Sequence, residues 1–393
     1  MSERRARGAL AGVVFLVLLA QVLLYPGIDR LVAALGATTD LRASMWFLAA
    51  EFGAFVLCAG VWGLASDATG RRVPYIVAGA LGGAAGYAAL LVAPRLGPAF
   101  LTVLGLRIAQ GAMTIGAFSL AMTMLMDLDG GHGRNMGAAG IAIGSGTALG
   151  APLGGQLYEI GPLVPVAGAS VLLTCSAVLA VTVTDRAPTD RRGLGAAVES
   201  VTARPRLVVP YAYGFIDRFT AGFFALVGTL YFRTAFGLSP GATGIVLALF
   251  FAPFALLQYP FGVLSDRIGR TGPIVAGSAC YGVAVVGVGL APRIELVGLG
   301  MVVVGIIGAL MAPATMALVT DLAAPEERGA AMAGFNIFGS VGFLAGVLIG
   351  GTVAERAGYV TAFLVTGGIE IAIAALTLPV FLHWRRRGAA PSA

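Results

Sequence analysis

Long apolar runs alternate with short polar breaks along the whole chain. Cutting at the charged and Gly/Pro-rich breaks leaves twelve apolar stretches, at 9–30, 43–65, 73–93, 98–124, 136–157, 162–184, 207–232, 242–264, 273–291, 296–319, 329–352 and 360–383. Each is close to the roughly 20 residues that an α-helix needs to cross a bilayer. The pattern predicts an all-α membrane protein with twelve transmembrane helices. The longest polar stretch between spans is 186–206, and it separates six helices from six. The expected organisation is an N-terminal six-helix bundle over 1–185, a cytoplasmic linker over 186–206, and a C-terminal six-helix bundle over 207–393.

The halves repeat. GVWGLASDATGRRVP at 60–74 returns as YPFGVLSDRIGRTGP at 259–273, so Gly63, Ser66, Asp67, Gly70 and Arg71 match Gly262, Ser265, Asp266, Gly269 and Arg270 at one shift, from 67 to 266. Asp127 and Arg134 match Asp321 and Arg328, and Gly154, Gly155 and Glu159 match Gly350, Gly351 and Glu355. Duplicated halves with a site where they meet are a common build for secondary transporters.

Composition agrees with a bilayer environment. The 393 residues are 58% hydrophobic and 11% charged, against roughly 25% charged in a soluble domain. The chain has no lysine, so all 25 basic residues are arginines. With the N-terminus inside, the outer segments hold only Arg30, Arg42, Arg95, Arg233, Arg293 and Arg356, and two more, Arg107 and Arg218, lie within spans. The remaining arginines fall on inner segments, so the positive-inside rule places both termini in the cytoplasm of a cell-membrane protein. The net charge of +6 is accounted for by loops beside anionic headgroups and calls for no nucleic acid. Cys58, Cys175 and Cys280 lie in apolar stretches and form no CxxC or Cys/His cluster, so neither a disulfide framework nor a metal site is suggested.

The loop between the second and third spans carries Gly63, Asp67, Gly70, Arg71 and Arg72, which fill the G-x-x-x-D-x-x-G-R-R/K motif of the major facilitator superfamily. The second copy has Gly262, Asp266, Gly269 and Arg270, with Thr271 at the next position. The chain resembles that superfamily over nearly its whole length. The resemblance implies two pseudo-symmetric six-helix bundles, a central cavity and alternating access. It also implies a gating role for both motif copies. In physical terms, Gly63 is expected to let helices approach closely, Gly70 to permit a tight turn, and Asp67 to pair with an arginine or a helix N-terminus.

Within the fourth span, Arg107-x-x-Gln110-Gly111 looks like a motif common in drug/proton antiporters. An arginine there costs several kcal/mol unless it is paired or hydrated. The fifth span carries Gly146, Gly150, Gly154 and Gly155 of the antiporter pattern G-x-x-x-G-P-x-x-G-G, with Pro152 standing one place beyond the pattern's proline and Ala151 in its place.

Two acids lie deep in spans: Glu51 in the second and Asp217 in the seventh, next to Arg218. A carboxyl in low dielectric can gain or lose a proton near neutral pH. Glu51, Asp217 and Arg107 are the expected proton-coupling group. Neighbours on a helix point about 100° apart, so Asp217 and Arg218 are not expected to pair. Glu370, in the twelfth span, reads as a packing charge, because that helix is peripheral in the family. Asp29 and Arg30 read as solvated.

Cavity candidates in the first half are Gln21, Tyr25, Gln110 and Met113. In the second half they are Tyr211, Tyr213, Arg218, Phe251, Phe254, Gln258 and Asn336. This apolar, aromatic set with few polar anchors suits lipophilic compounds. The expected function is proton-coupled efflux of small lipophilic or drug-like molecules by a monomer. The proton gradient supplies the energy and no cofactor is expected. The alternative is a symporter or uniporter for a nutrient or organic anion, with Arg107 or Arg218 binding its carboxylate or phosphate. No nucleotide loop or nucleophile–base constellation suggests an enzyme.

Overall fold

The computed structural model describes residues 3–129, 132–185, 205–324 and 327–386. The expected linker lies outside them except for 205 and 206. Among the described residues the chain is helical, without strands.

Two compact units form: Met1–Gly193 with Phe232–Ala248, and Leu194–Tyr231 with Leu249–Ala393. The first contains α1 (Glu3–Val22), α2 (Ile28–Ala34), α3 (Asp40–Thr69), α4 (Val73–Leu96), α5 (Phe100–Met126), α6 (His132–Ile160) and α7 (Val164–Val181). The later helices are α8 (Val208–Phe223), α9 (Thr229–Phe236), α10 (Pro240–Ile268), α11 (Thr271–Leu290), α12 (Ile294–Leu322), α13 (Arg328–Ala357) and α14 (Tyr359–Arg386).

Among the described residues, eleven helical stretches are long and apolar enough to span a bilayer. The 29-residue α6 is not one of them, because its glycines, Pro152 and Gln156 dilute its apolar content. The first apolar stretch is broken after α1, at residues 23–27, where Pro26 removes a backbone donor. The seventh is one rod, α8 and α9, joined by a π turn at Phe224–Gly228. Large apolar side chains such as Leu57, Leu101, Leu256 and Leu376 stay exposed. In water that would be costly, but facing lipid it is the expected outer surface.

Glycine stripes bring helix pairs into backbone contact inside each unit. On α6, a Cβ at Gly146 would stand 3.0 Å from the Phe15 carbonyl oxygen of α1, one at Gly150 would stand 2.7 Å from Val22 Cβ, and one at Gly154 would overlap the Leu23 backbone. On α13, a Cβ at Gly342 or Gly346 would overlap the Phe215 or Phe219 carbonyl of α8, and one at Gly350 would meet the Phe223 ring. The two stripes match residue for residue between the halves, Gly146 with Gly342, Gly150 with Gly346 and Gly154 with Gly350. Small residues at this spacing allow van der Waals contact where the bilayer gives helices no hydrophobic reason to associate.

The segment Phe232–Ala248 is fastened within the first unit. Arg233 Nε lies 2.8 Å from Asp29 Oδ1, so Asp29 is paired rather than solvated as expected. The Gly241 N–H donates to Glu159 Oε1 at 2.8 Å. That bond, and after it the Ser239 hydroxyl, hold the Glu159 carboxyl below its ordinary range.

Candidate functional site

In the first unit the polar residues of four apolar helices meet at one place. Arg107, Gln110 and Thr114 lie three and four residues apart on α5, so they share a face. Glu51 comes from α3. A Cβ at Gly111 would stand 2.9 Å from the Glu51 carbonyl oxygen, so the glycine next to Gln110 is what lets α3 cross α5 at this point. Glu51 Oε2 pairs with Arg107 Nη2, and Arg107 Nη1 donates to Gln110 Oε1. Gln110 Nε2 donates to Thr114 Oγ1 at 2.7 Å, and that hydroxyl donates to the Gln110 carbonyl at 2.9 Å. Glu51, Arg107 and Gln110 are all 0% exposed. The guanidinium carbon also lies 4.6 Å from the Phe47 ring centre and 5.3 Å from that of Tyr87, a geometry that favours a desolvated cation.

The cluster is not saturated. Among the described residues, Glu51 Oε1, Arg107 Nε, Gln21 Nε2 and the Tyr87 hydroxyl are buried with at most long or poorly aligned hydrogen bonds. Gln21 and Tyr25 stand beside Glu51, and Tyr87 beside Arg107. Native interiors hold few such groups, and each calls for a reason. Here they surround an ion pair whose members would change partners if Glu51 took up a proton.

In the second unit Asp217 and Arg218 are half-buried on α8. No ion pair joins them, as their one-residue spacing predicts. Arg218 lays its stem on Gly339 of α13. Asp217 feels the charge of Arg218, and its own charge reaches Tyr281 of α11 and Glu370 of α14.

The two motif copies build the same cluster with different arginines. In the first, Arg72 pairs with Asp127 and lies 4.0 Å from Asp67 Oδ1, while its backbone N–H donates to Asp185 Oδ1 at 3.0 Å. In the second, Arg270 pairs with Asp266, lies 3.2 Å from Asp321 Oδ2 and donates to Ser265 Oγ at 2.9 Å. Sequence alignment matches Arg270 with Arg71, yet Arg71 is exposed. The reason is loop length. Gly70, Arg71 and Arg72 separate α3 from α4, whereas only Gly269 and Arg270 separate α10 from α11. Arg72 and Arg270 therefore both stand just before a helix. Gly70 and Gly269 both adopt left-handed backbone, φ 66° and 85°, as the tight turn requires. The reason expected for Gly63 fails in this structure, since a Cβ there would meet nothing within 4 Å.

This register makes a prediction. Arg72→Ala should destabilise the protein by about 1–2 kcal/mol, because it removes a buried side chain and its charge-assisted bond to Asp127, whose own access to water limits the loss. Arg71→Ala should stay within about 0.5 kcal/mol of wild type, as surface changes do. Unfolding midpoints of the two variants in one detergent decide it, and equal losses would reject the assignment.

The amino-acid sequence matches the Major Facilitator Superfamily profile over residues 10–225 and 211–392. The chain belongs to the major facilitator superfamily. The inner membrane transport protein YajR of Escherichia coli is 32% identical over 150 residues, which are 37% of this chain and 33% of that protein. The MFS-type transporter MJ1560 of Methanocaldococcus jannaschii is 31% identical over 164 residues, 40% of each chain. The matches thus span well under two thirds of these relatives' lengths. Among solved structures, the nucleoside transporter NupG gives a TM-score of 0.77 at 13% identity, covering 96% of this chain and 100% of that one. The human organic anion transporter MFSD10 gives 0.71 at 20% identity, covering 96% and 99%. Likenesses at such low identity carry the fold alone.

Among the described residues this facilitator has eleven helical stretches fit to cross a bilayer, and its expected cavity residues fall in both units. Gln21, Tyr25 and Gln110 join the buried cluster, whereas Met113 is exposed beside Gly82. The Tyr211 hydroxyl donates to the Ala331 carbonyl at 2.8 Å, and the Tyr213 hydroxyl bonds to Thr377. Both tyrosines are buried between helices of the facilitator's second unit. Phe251, Phe254 and Gln258 are half-buried and Asn336 is exposed.

Proposed function

We propose that this facilitator exports small lipophilic molecules in exchange for protons, from a cell membrane in which both termini face the cytoplasm. The observation that carries this reading is the Glu51–Arg107 pair. Arg107 is fully buried and its charge is already met by Glu51, so it has no free charge to offer an anionic substrate. Arg107 pairs with Glu51 Oε2, which leaves Oε1 as the atom to receive a proton. Protonation would leave the arginine's charge uncompensated among Phe47, Tyr87 and Gln110. A state in which that charge is hydrated or re-paired would then gain population, which is how a bound proton biases alternating access. Asp217 is the corresponding carboxyl of the second unit. The energy source is the proton gradient.

A second reading rests on Arg218, which has no acid partner within ion-pair distance among the described residues. A carrier that binds an organic anion there would move it together with protons or alone.

The deciding experiment uses proteoliposomes loaded with a pH-sensitive dye under an imposed pH gradient. A panel of lipophilic cations, neutral drugs and organic anions is added to wild type and to Asp217→Asn. Proton release on adding cationic or neutral compounds is the expected result. Protons moving inward with anions would replace export by symport, and substrate movement without protons would leave a uniporter.

A further inference from the structure

Glu370 sits in the middle of α14 and is 0% exposed. Its sequence position on a peripheral helix suggests a packing charge, and the proposed exchange makes no use of it. Its surroundings are unlike those of Glu51. Its Oε1 lies 2.9 Å from Thr220 Oγ1 of α8, and its Oε2 lies 2.8 Å from Ser278 Oγ of α11. Among the described residues no basic side chain pairs with it. The ionisable groups facing it are Asp217 and Tyr213 from α8 and Tyr281 from α11. The charges of α13 lie only near its ends, at Arg328, Glu355 and Arg356. Water has little room between α11 and α14: a Cβ at Gly282 would overlap the Gly367 carbonyl and stand 2.9 Å from Glu370 Cβ.

The hydrogen-bond count separates the two forms of the carboxyl. Ser278 Oγ also lies 3.2 Å from the backbone carbonyl oxygen of Glu370. A hydroxyl has one proton to donate and can also accept. For a carboxylate, Thr220 and Ser278 must both donate to it, leaving a full negative charge in the core beside another acid. For the neutral acid, the Oε2–H donates to Ser278 Oγ. The Ser278 hydroxyl then donates to the Glu370 carbonyl, and Thr220 donates to Oε1. Every donor is used and no charge is buried.

We infer that Glu370 is a proton-binding site of the second unit, a carboxylic acid that clasps α14 to α8 and α11 while protonated and loosens them on losing its proton. No reacting group beyond the proton is involved. Proton binding at Glu370 stands whether or not a proton gradient drives transport.

The test is infrared difference spectroscopy of the full-length protein in lipid nanodiscs as pH is raised from neutral. Wild type should show the carbonyl stretch of a protonated carboxylic acid that vanishes in alkali, with a parallel fall in the thermal unfolding midpoint. Glu370→Gln keeps a neutral fork in place, so it should lose that band and should unfold at a midpoint that no longer falls with it. Asp217→Asn should keep the band. Ser278→Ala retains the carboxyl but removes its acceptor, so it should shift the band and serves if Glu370→Gln does not fold. A wild type without the band at neutral pH, a band that survives in E370Q, or one unmoved by Ser278→Ala in the absence of E370Q data would overturn the assignment.

Discussion

Replacing Glu51 by Gln should cost about 3–5 kcal/mol of stability, because it leaves the fully buried Arg107 guanidinium without its counter-charge. The same change should abolish substrate-driven proton movement. These two effects can be separated. In the double variant Glu51→Leu with Arg107→Met, neither charge remains, and apolar side chains of similar volume fill the space. Buried pairs replaced in this way are often neutral or stabilising. The double variant should therefore regain most of the unfolding midpoint lost in Glu51→Gln while remaining inactive. Midpoints in one detergent together with proteoliposome flux give both readouts. If Glu51→Gln unfolds like wild type, Arg107 has water or another partner, and the ion pair is not the switch. If the double variant still couples substrate to protons, the coupling carboxyl lies elsewhere, with Asp217 the next to examine.

Gly346→Leu should be nearly as damaging, at about 3 kcal/mol or more. Its Cβ alone would overlap the Phe219 carbonyl of α8. A backbone oxygen held in a helix cannot turn aside as a side chain can, so the two helices must separate and lose contacts along their length. Gly154→Leu should act likewise against the Leu23 backbone, just past α1. Gly140→Ala on α6 is the control. A Cβ there meets nothing within 4 Å, and alanine is the better helix former by roughly 0.5–1 kcal/mol. Thermal unfolding of the three variants would show two large losses and one small gain. Similar stability for Gly346→Leu and Gly140→Ala would mean that the helix contact is not tight.

The membrane architecture was legible because a bilayer writes itself into a chain as runs of apolar residues of nearly fixed length. The repeat was legible too, through Asp67 and Asp266 and through Asp127 and Asp321. What the pattern does not contain is rotation about each helix axis. Glu51 and Arg107 could each be singled out as costly, yet their pairing across α3 and α5 depends on which way two helices face. Arg71 was favoured over Arg72 as the partner of Arg270 because alignment counts residues, whereas a salt bridge depends on where the next helix starts. The matching stripe Gly342, Gly346 and Gly350 was visible in the sequence, but only its last member was aligned. Glu370 was set aside for its place on a peripheral helix, and only the positions of Thr220 and Ser278 reveal its surroundings. Tyr211 and Tyr213 were read as lining a cavity, since nothing in the sequence announces the Ala331 carbonyl or Thr377 that hold them.

The glycine stripes also limit where each unit can yield. Helices separated by a layer of side chains can lean on one another, as rotamers change to take up the strain. Where α6 lies on α1 at Gly146, and α13 on α8 at Gly342 and Gly346, backbone meets backbone, and little compliant layer remains there to absorb a tilt. A molecule pressing on α1 or α8 would push its partner along with it. Such pairs behave as stiff double beams, and any compliance has to come from bends within a rod, such as the π turn at Phe224–Gly228.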